Sequence, residues 1–135
     1  MKKGMAATSL AIVASGVAFA QQPAAPTPLF LFFDWGKPDI RGDDQAVLDQ
    51  AAAAWRARPG ARLRLSGHSD RSGGARYNLA ASRRRAETVE AELVRRGVPG
   101  TSIEIAAYGE RRPLVPTEDG VREVQNRRVE ISIEE

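Results

Sequence analysis

Residues 62–99 read RLRLSGHSDRSGGARYNLAASRRRAETVEAELVRRGVP. The first seven alternate. Leu63, Leu65 and Gly67 fall on one side, and Arg62, Arg64, Ser66 and His68 on the other. That period of two predicts a half-buried strand. Ser69 to Gly74 is rich in turn formers and predicts a loop. Then the period changes. Leu79, Ser82, Ala86, Val89 and Leu93 recur at steps of three and four, which predicts a helix from about Arg76 to Arg96 with one core-facing stripe. Gly97 supplies its stop and Pro99 reinforces it. Ile103, Ile105 and Ala107 alternate again as a second strand. A strand-helix-strand unit of this kind makes a right-handed crossover onto a parallel neighbour.

The flanks extend the pattern. Upstream, Leu29 to Phe33 is a continuous apolar run, which predicts a strand buried on both faces. Gly42-Asp43-Asp44 can cap a following helix that carries Leu48, Ala51, Ala52 and Trp55 and stops at Pro59-Gly60. Downstream, Pro113 and Pro116 break the chain. A last strand, Arg128 to Glu134, should bury Val129, Ile131 and Ile133. No helix precedes it, so it should run antiparallel. The expected fold is α+β: a two-layer α/β sandwich of order βαβαββ, a mixed sheet with both helices on one face.

The 135 residues allow one domain. Met1-Lys2-Lys3, the apolar stretch Met5 to Ala18 and the small-x-small site Ala18-Phe19-Ala20 predict a signal peptide over residues 1–20. The run is too short and too diluted by Thr8, Ser9, Ser15 and Gly16 for a membrane span. Residues 21–28 form a Pro/Ala linker, and the domain occupies 29–135. The formal charge of +3 falls to +1 once Lys2 and Lys3 leave, which argues against a nucleic-acid partner. There is no cysteine, so disulfides, thiolate zinc sites, Cys nucleophiles and a lipid-bearing cysteine are excluded from these residues.

In open α/β sheets, ligands gather at the carboxyl ends of parallel strands. Asp34-Trp35-Gly36 and Gly67-His68-Ser69-Asp70 both fall at such ends. Asn78 and Arg85 lie two helical turns apart and share a face that can look toward Asp70. One carboxylate, one guanidinium and one amide would suit a zwitterion, with Asp70 toward an ammonium and Arg85 forked onto a carboxylate. The plainer readings stand beside this one. Asp70 could be a turn or capping residue. Arg83 and Arg84 fit a solvated face with Glu87 and Glu90. His68 fits a hydrogen-bonding residue at a strand end, and Trp35 and Tyr108 fit packing roles.

G-H-S-D, then N-x-x-x-S-x-x-R-A, then Y-G-E, then N-R-R-V-E-I, opened by F-F-D-W-x-K, resembles the OmpA-like C-terminal domain family over about residues 29–133. The resemblance implies non-covalent binding of peptidoglycan through the diaminopimelate of its stem peptide. It implies that Asp70 holds the ligand's ammonium and backbone, that Arg85 holds its carboxylate, and that Asn78 lines the pocket. Arg128, the second Arg of Asn126-Arg127-Arg128, is a further ligand residue by the same resemblance. It also implies an exported protein of the periplasm, associated with the cell wall or outer membrane, with outer-membrane proteins as further partners. Three positions depart from the family's pattern: Gly36, where a polar side chain is common, Arg71 and Glu123. Gly36 keeps open an alternative, an envelope interaction protein with weakened or lost peptidoglycan affinity.

An enzyme would need a nucleophile-base pair, a metal cluster or two close carboxylates. One His, no Cys and no paired acidic motif supply none of these, so neither catalysis nor a metal or other cofactor is expected.

Overall fold

The alternating stretch Arg62–His68 is an inner strand of a four-stranded sheet, with its parallel neighbour Ile103–Gly109 on the open edge. The computed structural model describes residues 27–135. The expected signal peptide at 1–20 and the expected linker up to residue 26 lie outside the described residues. In chain order the elements are β1 (Leu29–Phe32), α1 (Gln45–Arg56), β2 (Arg62–His68), α2 (Ala75–Arg95), β3 (Ile103–Gly109) and β4 (Arg128–Glu134). Short 3-10 turns at Gly42–Asp44, Gly100–Ser102 and Val124–Asn126 precede α1, β3 and β4. Among the described residues no helix is long and apolar enough to cross a membrane.

The sheet order is β1-β4-β2-β3. β4 is antiparallel to both its neighbours, as expected for a strand that arrives without a helix. Its arrival changes one expectation. β1 and β2 run in the same direction but do not touch, because β4 lies between them. Leu31 pairs with Val129, and Leu65 with Ile131, so the apolar residues of β4 bridge the two parallel strands.

β1 is therefore an edge strand and not one buried on both faces. Leu31 is buried in the core, whereas Phe30 and Phe32 are half-buried and stack on each other at 6.0 Å. The continuous apolar run has two causes: a core face, and an aromatic pair on the opposite face. Asp44 does not cap α1 with its side chain. Its Oδ2 accepts instead from the Phe32 backbone N–H at 3.0 Å, covering a donor at the sheet edge.

The core lies between the sheet and the two helices. Leu31, Leu63, Leu65, Val129 and Ile131 meet Leu48, Ala51 and Ala52 of α1 and Ala86, Val89 and Leu93 of α2. Each buried Leu or Ile contributes about 1.5–3 kcal/mol. α2 ends in a Schellman motif. Gly97 has φ +99°, its N–H bonds the Val94 carbonyl at 3.0 Å, and the Val98 N–H bonds that of Leu93 at 3.1 Å.

Gly67 sets the position of α2. A Cβ there would collide with the Ser82 backbone carbonyl, so the helix approaches the sheet as closely as only glycine permits. Ser82 then ties α2 to the end of β3: its hydroxyl donates to the Leu79 carbonyl at 2.8 Å and accepts from the Gly109 N–H at 3.0 Å. Leu79 departs from the predicted stripe and is 43% exposed. The buried face of the first half of α2 carries Asn78, Ala81, Ser82 and Arg85 instead. This half of the helix covers a polar cleft at the end of the apolar core.

Candidate ligand-binding cleft

The cleft opens where the chain leaves β1 and β2. Trp35 to Pro38 form one wall, Ser69, Asp70, Ser72 and Gly73 the floor, and Tyr77, Asn78, Ala81, Arg84 and Arg85 of α2 the other wall, with Arg127 behind. The first wall is a tight turn closed by Lys37 N–H to the Asp34 carbonyl at 3.2 Å, with Gly36 at φ +72°. A type II turn needs that positive φ at its third residue. Gly36 thus answers a backbone demand, and the space around its α-carbon is open.

Asp70 is buried on the floor, and both its oxygens are occupied. Oδ1 accepts from Ser72 Oγ at 2.6 Å and Ser72 N at 3.1 Å. Oδ2 accepts from Arg127 Nη1 at 2.7 Å and from the Glu123 N–H at 3.1 Å. Burial alone would push its pKa up. The hydrogen bonds from Ser72, Arg127 and Glu123 outweigh burial and hold the carboxyl below its ordinary range. The carboxylate therefore ties three segments together: the β2–α2 loop, the chain before β4, and Arg127.

Arg85 is buried, but its bonds go to backbone. Nε donates to the Lys37 carbonyl at 3.2 Å and Nη2 to that of Asp34 at 3.5 Å, with the guanidinium carbon 5.5 Å from the centre of the Phe33 ring. Among the described residues no carboxylate lies within ion-pair distance of it. Burial lowers its pKa to about 10, with the nearby Arg127 charge adding to the effect and Asp70 opposing it. At neutral pH Arg85 remains a cation in a desolvated wall. The sequence reading set Asp70 and Arg85 as the two opposite charges of one site, and the structure brings both to the cleft. It adds a partner that reading did not name, Arg127, in an ion pair with Asp70.

Asn78 lines the same cleft. Its Nδ2 donates to the Gly73 carbonyl at 2.9 Å and to Glu110 Oε1 at 2.8 Å, while its Oδ1 receives no donor among the described residues. Glu110 also lies 3.6 Å from Arg71 Nε, and Arg71 binds the Thr117 carbonyl at 3.0 Å and Asp119. Arg71, a departure in the sequence pattern, is thus a strut holding the 110–120 loop against the floor.

Arg128 is not brought to the cleft. It lies on the opposite face of the sheet, where Nε bonds Glu130 at 2.7 Å and Nη2 the Arg112 carbonyl at 3.1 Å. Of Arg127 and Arg128, the one that lines the cleft is Arg127, whose Nε also bonds the Phe33 carbonyl at 2.9 Å. The signal was in the alternation of β4. Val129 and Ile131 face the helices, so Arg127 shares their side and Arg128 does not.

His68 is likewise outside the cleft. It is buried beside Arg128 and stacks on Tyr108 at 5.3 Å; among the described residues neither ring nitrogen has a hydrogen-bond partner, the nearest carboxylate being Glu130 Oε2 at 3.6 Å from Nε2. The expected strand-end hydrogen bond is absent. Burial, with the charges of Arg128 and Arg112, pushes its pKa down to about 3. The unfolded chain takes up a proton near pH 6.5 that the folded chain refuses until about pH 3. Stability therefore falls as pH drops through that window. Urea unfolding at pH 7 and pH 4.5 checks this: His68→Phe, which keeps the stacking, should lose less stability on acidification than the parent. The difference has a ceiling of about 1.4 kcal/mol per pH unit. Equal losses would refute the assignment.

Trp35 is not a core residue. It is 48% exposed at the cleft mouth, donates Nε1–H to Ser72 Oγ at 3.0 Å and carries the Arg122 guanidinium 3.6 Å from its ring centre. Tyr108 packs as expected, between His68 and Arg112.

Comparison with known proteins agrees with this architecture. Residues 32–127 match the OmpA family. An outer membrane protein of Gluconacetobacter diazotrophicus is 43% identical over 116 residues, 79% of this chain and 31% of that protein. A peptidoglycan-associated lipoprotein of Rhizobium meliloti is 40% identical over 99 residues, 73% of this chain and 56% of the relative. The chain thus spans between just under a third and just over half of the length of these relatives. Among solved structures, the peptidoglycan-associated lipoprotein from Burkholderia pseudomallei superposes with a TM-score of 0.72 at 28% identity, covering 78% of this chain and 89% of that one. The OmpA-like domain of FopA1 from Francisella tularensis shares the fold, with a TM-score of 0.68 at 17% identity over 77% and 69% of the two chains. The family match runs from β1 to Arg127 and so takes in every segment that builds the cleft: the chain belongs to the OmpA family.

Proposed function

We propose that this chain is an exported, non-enzymatic module that binds peptidoglycan through the diaminopimelate of the stem peptide. The observation that carries the reading is Arg85: a buried guanidinium, lining an open cleft, with no carboxylate partner among the described residues. A buried charge is costly unless it is paired, so the wall is built for an anion that arrives from outside. The ligand carboxylate forks onto Arg85. The ammonium of the same zwitterionic end faces Asp70 and the open Oδ1 of Asn78. Asp70 acts here by charge, since its acceptor positions are filled from within.

The curated relatives named for peptidoglycan association support the wall as the partner. With the signal peptide read at residues 1–20, the site of action is the periplasm, at the cell wall or outer membrane. Outer-membrane proteins are further partners on this reading. Among the described residues the one histidine, His68, stands on the other face of the sheet, and the carboxylate of the cleft, Asp70, is held in an internal ion pair and hydrogen-bond shell.

Sedimentation with purified sacculi tests the proposal. The protein should pellet with them and be released by millimolar free meso-diaminopimelate. Pelleting that the free amino acid does not reverse would refute this cleft as the binding site. Calorimetry with a diaminopimelate peptide that shows no heat would favour the alternative, an envelope interaction protein that has lost the ligand.

A further inference from the structure

The cleft carries more positive charge than one zwitterion can answer. Four cations line it, Lys37, Arg84, Arg85 and Arg127, against one carboxylate, Asp70. Arg127 is matched to Asp70. Among the described residues, no carboxylate lies within ion-pair distance of Lys37, Arg84 or Arg85. The diaminopimelate end supplies one carboxylate for Arg85, and its ammonium adds charge of the same sign as the surplus. Arg84 and Lys37 remain unanswered at the rim.

Their placement is not that of free surface cations. Arg84 and Tyr77 are two helical turns apart on α2 and share a face, with the Arg84 guanidinium carbon 5.9 Å from the Tyr77 ring centre at the cleft mouth. Lys37 belongs to the turn whose carbonyl receives Arg85 Nε. The two cations thus flank Arg85 from different elements, one on each wall. Both are exposed, so an anion can reach them without a desolvation penalty of the kind Arg85 imposes.

We infer that Arg84 and Lys37 form a second anionic subsite at the rim, which takes a further free carboxylate of the stem peptide beside the diaminopimelate end. This rests on the proposed function above. It makes the module a reader of stem-peptide charge: a peptide whose neighbouring carboxylate has been converted to an amide keeps its shape but loses this contact.

The test is calorimetry on the purified protein with two synthetic tripeptides. Both are L-Ala-γ-D-Glu-meso-diaminopimelate, one with the glutamyl α-carboxylate free and one with it amidated. At about 20 mM salt the free acid should bind about fivefold more tightly, the effect of one good exposed ion pair. At about 0.5 M salt the ratio should approach one, because exposed charges are then screened. The Lys37→Gln, Arg84→Gln double variant should bring the acid down to the level of the amide at low salt. Equal affinities in the parent at low salt, or a ratio that survives in the double variant, would overturn the subsite alone. If the parent binds neither peptide, the proposed function fails and the subsite with it.

Discussion

Asp70→Ala should lower the unfolding free energy by about 3–5 kcal/mol, the cost of stranding a buried charge by removing its partner. The stranded group is Arg127, whose side chain is 10% exposed and whose Nη1 lies 2.7 Å from Asp70 Oδ2. The same change leaves the Glu123 N–H and the Ser72 hydroxyl and N–H without their acceptor. A domain of this size has about 5–15 kcal/mol to lose, so the variant should be close to its unfolding threshold at 37 °C. Urea denaturation at pH 7 measures it. Replacing Asp70 and Arg127 together by apolar residues of similar volume should recover part of the loss, because no buried charge is then left alone. The sign of the pH dependence follows from the depressed pKa. The Asp70 contribution is complete above about pH 4 and fades as pH falls through the lower, folded value. Parent and variant should therefore converge on acidification below pH 4. A variant within 0.5 kcal/mol of the parent at pH 7 would refute the role of Asp70 as the brace of the floor.

This outcome separates what the sequence could say about Asp70 from what it could not. The alternation of Leu63, Leu65 and Gly67 and the stripe through Ser82, Ala86, Val89 and Leu93 are local periodicities, and they placed β2 and α2 to within one residue at each end. The antiparallel course of β4 followed from the missing helix before it. The insertion of β4 between β1 and β2 is a long-range pairing, and no local period encodes it. The same division holds in the cleft. That Asp70, Asn78 and Arg85 line one cleft was legible because loop position and helical spacing bring them together. Their partners were not. Arg127 is 57 residues from Asp70, and the Glu123 N–H that completes its shell is a backbone donor of no distinctive residue type. Choosing Arg127 over Arg128 needed only the parity of β4, since Val129 and Ile131 mark the inward side. Leu79 misled for a related reason. The apolar stripe predicts a core beneath the whole of α2, whereas its first three turns cover a polar cleft.

Arg85→Met should separate binding from stability. Among the described residues the guanidinium has no carboxylate to strand, and its bonds reach the Lys37 and Asp34 carbonyls, which stand in an exposed turn where water can replace it. A methionine fills much of the same volume beside Phe33 without the cost of a buried unpaired charge. The unfolding free energy should therefore stay within about 1 kcal/mol of the parent or rise, as when buried charge gives way to packed apolar groups. Ligand binding should respond in the opposite way. Without Arg85 the ligand carboxylate would enter a desolvated wall unpaired, a loss of about 2–5 kcal/mol or more, which is at least thirtyfold in affinity. Asp70→Ala loses both properties together, and Arg85→Met loses only one. Measured side by side in urea denaturation and sacculus sedimentation, the two variants distinguish a floor that holds the cleft in shape from a wall that waits for an anion. If Arg85→Met still pellets like the parent, the unpaired guanidinium is not the ligand's partner. If it unfolds as readily as Asp70→Ala, Arg85 is a structural strut and the anion site lies elsewhere.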